Sequence, residues 1–159
     1  LTTDDEAVYY TGRELGIDKT VGLGRYFRLY RRPLAGGAPE SHRFATCRTM
    51  AVAGDEVLCA TGSRLLAYPK RGPGERVVID KDAGVGEIVE FVVDGRRVYA
   101  TTGQALWRID MDTRKPERLA NGTTLVHVAV DDQAIYWTAQ GVNHEGLVIR
   151  PGALYRRAK

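Results

Sequence analysis

Four short segments of this chain repeat one another. Val8-Tyr9-Tyr10-Thr11, Val57-Leu58-Cys59-Ala60, Val98-Tyr99-Ala100-Thr101 and Ile135-Tyr136-Trp137-Thr138 each follow a turn rich in Asp or Gly. Each is followed by a second echo: Leu29-Tyr30-Arg31, Leu66-Ala67-Tyr68, Leu106-Trp107-Arg108 and Leu154-Tyr155-Arg156. The units recur every ~37 to 49 residues, the period of a blade-type β array. One small meander has two apolar faces and cannot cover both alone. Stacking like units beside one another solves this, and that requirement constrains the fold more than any other feature of the chain.

The fourth unit is the cleanest. Leu125-Val126-His127-Val128-Ala129-Val130 is apolar and β-branched, as suits a strand covered on both sides. Asp131-Asp132-Gln133 supplies turn chemistry, Ala134 to Thr138 returns, and Ala153 to Arg157 forms a third strand. In the third unit Asp94-Gly95 is a strong hairpin signal, and Glu117 to Ala120 adds a short polar fourth strand. The fold expected is all-β: a β-propeller of four-stranded antiparallel blades, with about four blades visible. Their approximate extents are 1–45, 46–85, 86–121 and 122–159, the last lacking its outer strand. A β-sandwich also has short strands at regular spacing, but it does not require one four-strand motif to recur in register.

The run Val130-Asp131-Asp132-Gln133-Ala134-Ile135-Tyr136-Trp137-Thr138, followed by Leu154-Tyr155-Arg156, resembles the YWTD/TolB-like β-propeller repeat families. It is also similar to bacterial repeat proteins of largely unassigned function. The resemblance covers the whole chain and weakens away from the fourth unit: Leu58-Cys59-Ala60 replaces the aromatics, and Tyr99 lacks a following Trp. It implies an extracytoplasmic setting, periplasmic or secreted, and rings of six to eight blades. Against that number, four units suggest part of a longer chain, copies that assemble to close a ring, or an imperfectly closed set of four. A start at Leu1 without Met suggests a processed or truncated product.

Composition narrows the partners. Net charge is +3 and the basic residues are scattered, without the clustered stripe that a nucleic-acid surface needs. No apolar run approaches the roughly 20 residues of a membrane-spanning helix. Cys47 and Cys59 fit no metal-ligand spacing. A hairpin tip at Gly54-Asp55 sets Cys59 opposite Met50, so a bridge needs a bulge or shifted pairing, and two buried free thiols are favoured over it.

The residues with chemistry gather at one end of the array. The connection between the second and third strands is tight at Gly62-Ser63 and Gly103-Gln104. It is long from Gly12 to Arg25 and from Ala139 to Gly152. Both long stretches read as loops, and long loops in compact arrays are often functional. The second of them carries Asn143, His144 and Glu145. At the same end, alignment makes Thr49, Glu90 and His127 equivalent, with Arg48 one step earlier. These candidates suit ligand binding. A His beside a carboxylate also suits acid–base work, although solvated channel lining explains the same residues. No phosphate-cradling loop, nucleophile elbow or calcium loop is present. No catalytic set, metal or cofactor is assigned. The function expected is a non-catalytic binding or scaffold module taking a protein, small-molecule or carbohydrate ligand at the long-loop face. The alternative is a lyase or hydrolase with its site at the channel mouth.

Overall fold

A computed structural model describes residues 1–18, 22–43, 47–122, 124–140, 142–144, 147–150 and 152–159. Side chains are described at all of these except 13–18, 22–27, 42–43, 142–144 and 147–150. The chain forms successive antiparallel meanders. Sheet one holds β1 (Thr2–Thr3), β2 (Ala7–Asp18), β3 (Gly22–Pro33) and β4 (Glu40–Arg43). Sheet two holds β5 (Thr49–Ala53), β6 (Glu56–Thr61), β7 (Arg64–Pro69) and β8 (Arg76–Ile79). Sheet three holds β9 (Ile88–Asp94), β10 (Arg97–Thr102), β11 (Ala105–Asp110) and β12 (Pro116–Asn121). Sheet four has three strands: β13 (Leu125–Val130), β14 (Ala134–Ala139) and β17 (Ala153–Ala158). Between β14 and β17 lies a separate hairpin of β15 (Val142–His144) and β16 (Leu147–Arg150).

Tight turns set the pairing. Ala53 opposes Glu56 and Asp94 opposes Arg97. The first loop residue in each case is a glycine, Gly54 or Gly95, at φ 58°. A hairpin turn that matches strand twist needs positive φ there, which glycine adopts without steric cost.

Because side chains alternate along a strand, each sheet has a leading face toward the next sheet and a trailing face toward the previous one. The second strands show the pattern. Tyr9 leads from sheet one into a cluster with Val57 and Cys59 on the trailing face of sheet two. Leu58 leads onto Val98 and Ala100 of sheet three. Tyr99 leads onto Ile135 and Trp137 of sheet four. Three apolar seams therefore form the core, each burying both neighbours. A fully buried Leu or Tyr in such a seam contributes about 1.5–3 kcal/mol. The innermost strands pack β1 on β5, β5 on β9 and β9 on β13.

Three expectations require correction. The stretch from Gly12 to Arg25 is not a loop: β2 and β3 stay paired as one long ribbon out to Asp18 and Gly22. The stretch from Ala139 to Gly152 likewise contains the β15–β16 hairpin. The second echo in repeat two is displaced by one residue. Leu58 opposes Ala67, just as Tyr9 opposes Arg31 and Tyr99 opposes Arg108, so Leu65-Leu66-Ala67 is the true counterpart of Leu29-Tyr30-Arg31. Cys47 and Cys59 are bridged, with Cα atoms 5.5 Å apart. The expected pairing of Met50 with Cys59 holds. Cys47 escapes it because it precedes β5, where the strand period no longer dictates side-chain direction.

Candidate functional site

The end of the array that carries the long connections is knitted by a repeated backbone device. Gly62 O accepts from Ile88 N–H at 2.9 Å, and Gly103 O accepts from Thr124 N–H at 2.7 Å. Each second-to-third-strand turn thus holds the chain approaching the next innermost strand. Thr124 sits at φ 56°. A β-branched residue is rarely found there, and such strain concentrates at functional sites. Its N–H bond to Gly103 and the bond that its carbonyl accepts from Gln140 N–H, at 2.9 Å, fix it in place.

Beside Thr124 a cleft of about 620 Å³ opens between sheets three and four. That volume lies in the range of small-ligand sites. Trp137 and Tyr155 form one wall, stacked with ring centroids 5.5 Å apart and planes 13° apart. They are cross-strand partners on β14 and β17, so sheet geometry aligns the rings. Leu125 and Ala139 add apolar surface, while Gln104, Asn121 and Arg118 bring polar groups. The Arg118 guanidinium lies 5.7 Å from the centre of the Trp107 ring and donates to Gln104 O at 3.4 Å. Gln104 and Arg118 also line a second cleft of about 470 Å³, with Glu87, Trp107 and the Gly84–Glu87 connector. The indole N–H of Trp107 is buried and has no acceptor among the described residues.

Of the residues singled out from sequence, Glu90 and His127 do meet across sheets three and four. His127 Nδ1 lies 3.1 Å from Glu90 Oε2, and the same oxygen accepts from Val128 N–H at 3.1 Å. The His127 side chain is 71% exposed. Arg48 makes its ion pair with Glu87 and so links sheets two and three. None of Arg48, Glu90 and His127 lines either cleft. Asn143 and His144 lie in β15, opposite Val148 and Leu147, and Glu145 lies outside the described residues. Sequence reasoning missed Gln104, Arg118 and Asn121. Gln104 and Asn121 sit beside Gly103 and Gly122, and Arg118 is on the polar fourth strand, so each looks like ordinary edge chemistry. Trp107 and Trp137, members of the repeated strand segments, pack between sheets while also lining the clefts.

Sheets of this kind, stacked leading face to trailing face, define an all-β, propeller-like fold. The sequence matches no protein-family model and no curated protein. Two solved structures are similar to it. One is the N-terminal domain of Nup159, at TM-score 0.58 and 10% identity over 98% of this chain and 50% of that one. The other is a chain of the S. cerevisiae assembly of Dbp5 bound to Nup159, Gle1, IP6 and ADP, at TM-score 0.57 and 11% identity over 87% of this chain and 46% of that one. The likeness is one of fold, that of a β-propeller. The chain spans about half the length of the solved chains it matches.

Proposed function

We propose that this protein is a non-catalytic, propeller-type binding module that seats a ligand or a partner's side chain in the cleft between sheets three and four. The carrying observation is the cleft itself: a stacked Trp137–Tyr155 wall facing a set of amide and guanidinium groups from Gln104, Asn121 and Arg118. An aromatic platform beside directional polar groups suits a sugar ring, or a planar or prolyl side chain of a protein loop. The unsatisfied Trp107 N–H and the strained Thr124 support a polar occupant at this end. One similar solved structure is a complex of several proteins, which supports a protein partner. The Cys47–Cys59 bridge supports an extracytoplasmic setting, as the YWTD/TolB-like resemblance does.

Both tryptophans line the clefts, so intrinsic fluorescence reports occupancy. Titration with panels of oligosaccharides and of aromatic- or proline-bearing peptides should yield a ligand that shifts it. Arg118→Ala and Asn121→Ala should then weaken binding roughly tenfold with melting unchanged. A ligand whose contacts map to sheet edges away from this end sinks the reading. A second reading, acid–base catalysis of the lyase or hydrolase type, rests on the exposed His127–Glu90 contact. It requires that His127→Ala abolish turnover.

A further inference from the structure

The second cleft, of about 470 Å³, lies between the connector that joins sheets two and three and the β10–β11 turn and outer strands of sheet three. Both sheets have all four strands. Its surface on the connector side is main chain. Val85 is buried in the seam between sheets two and three and anchors the connector, with Gly84 and Gly86 on either side lining the cleft. These two stand at φ 72° and 86°, which glycine adopts without steric cost. Gly103 lines the same cleft but is not at positive φ, unlike its counterpart Gly62 at φ 61°. Backbone conformation therefore does not call for glycine at 103. A Cβ at any of the three would meet no atom within 4 Å. Surfaces without side chains admit another main chain to close approach.

Charge at this cleft is unbalanced. Arg76, Arg96 and Arg108, from the same two sheets, pair with Glu56, Asp112 and Glu117. Arg118 has no carboxylate partner among the described residues; its hydrogen bond goes to Gln104 O. Glu87, the carboxylate in the lining, is itself paired with Arg48. The cleft is thus left with one uncompensated guanidinium, whose planar fork matches a carboxylate. A nucleic-acid backbone needs several cations. Nor does the cleft suit a sugar ring. Arg118 opposes Trp107 across β12 and β11, and its guanidinium covers the Trp107 ring, so that face is not free to stack.

We infer that this cleft takes an acidic, extended segment of a partner protein, its main chain against Gly84, Gly86 and Gly103 and one Asp or Glu carboxylate on Arg118. The inference rests on the proposed binding role of the neighbouring cleft and narrows its ligand to a protein segment. Gln104 and Arg118 line both clefts, which makes them the junction between the two. A segment that crosses this junction sets an aromatic or prolyl residue against the Trp137–Tyr155 wall and the acidic residue on Arg118. The two residues are close together in the partner's sequence, because the clefts adjoin and an extended chain advances ~3.3 Å per residue.

The test is selection of short peptides from a displayed random library against the whole chain, followed by titration of those selected. They should carry Asp or Glu close to an aromatic or prolyl residue. Replacing that acid by its amide should weaken binding roughly tenfold to the wild type and have no further effect on Arg118→Ala. Gly103→Leu should fill the cleft and also weaken binding roughly tenfold. Its melting should be unchanged, since neither φ nor a neighbouring atom opposes a side chain there. Gly103→Ala should weaken binding less. Selected peptides without an acid, an amide replacement equally costly in wild type and Arg118→Ala, or full binding by Gly103→Leu overturns the inference, as does failure to select any peptide. An oligosaccharide that loses affinity for Asn121→Ala and keeps it for Gly103→Leu overturns the inference and leaves the first cleft standing as a binding site. A ligand indifferent to both Asn121→Ala and Arg118→Ala overturns both.

Discussion

Asp4 and Asp131 open the second strands of the first and fourth repeats and make the same local bonds. Oδ1 of Asp4 accepts from the N–H groups of Glu6 and Ala7, and Oδ1 of Asp131 from those of Gln133 and Ala134. In each case Oδ2 accepts from a tyrosine five residues on, Tyr9 or Tyr136. The surroundings differ. Burial opposes ionisation of Asp4, but the Lys70 ammonium, the two N–H groups and the Tyr9 hydroxyl outweigh it and hold its carboxyl at about 2. Asp131 is lowered chiefly by the N–H groups of Gln133 and Ala134, without a lysine. A carboxyl depressed below its unfolded value of ~3.9 contributes stability that is fully present above about pH 4 and is lost as pH falls through about 2. Asp4→Asn should therefore cost about 2 kcal/mol at neutral pH and flatten the acid limb of the stability curve. Urea melts between pH 2 and 7 check this, and an acid limb as steep as the wild type's refutes it. The sequence shows these acids as turn formers. It does not show that only Asp4 acquires a cation from the next sheet, because Lys70 is far away along the chain.

At the scale of elements, the bridge pins the approach to β5 against β6. Cys47→Ser should cost about 2–3 kcal/mol. The wild type treated with reductant should melt with the variant; a reduced wild type as stable as the oxidised form contradicts it. The strands themselves were legible because a half-buried or buried strand declares itself by β-branched and aromatic residues between Gly and Asp turns, as Val98 to Thr102 do. The ribbon from Ala7 to Pro33 was not. Its outer part, from Gly12 to Arg25, is rich in charge and glycine, and the cross-strand pairing that keeps it extended is a property of two segments together. The clefts escaped for the same reason. Gln104, Arg118 and Trp137 belong to separate strands or turns, and no spacing in the chain announces that they converge.

The whole molecule is a stack whose inner seams carry its stability. Leu106→Ala should cost about 2–5 kcal/mol, because its side chain fills the seam between sheets three and four. Leu154→Ala, at the counterpart position, should leave the single chain within about 0.5 kcal/mol of wild type. Chemical melts at low concentration compare the two, and equal losses contradict the assignment of leading faces. Among the described residues no helix is long and apolar enough to cross a membrane. The sequence by itself determined the repeat, the strands and the two-sided apolar character of each sheet, since all three follow from local pattern and from the period of a β-strand. Only the tertiary structure decided which face of each sheet meets which neighbour, how Cys47 reaches Cys59, and where aromatic and polar groups enclose a cleft. Those outcomes depend on contacts between residues distant in the chain, and a strand's pattern states that a side is apolar without stating what covers it.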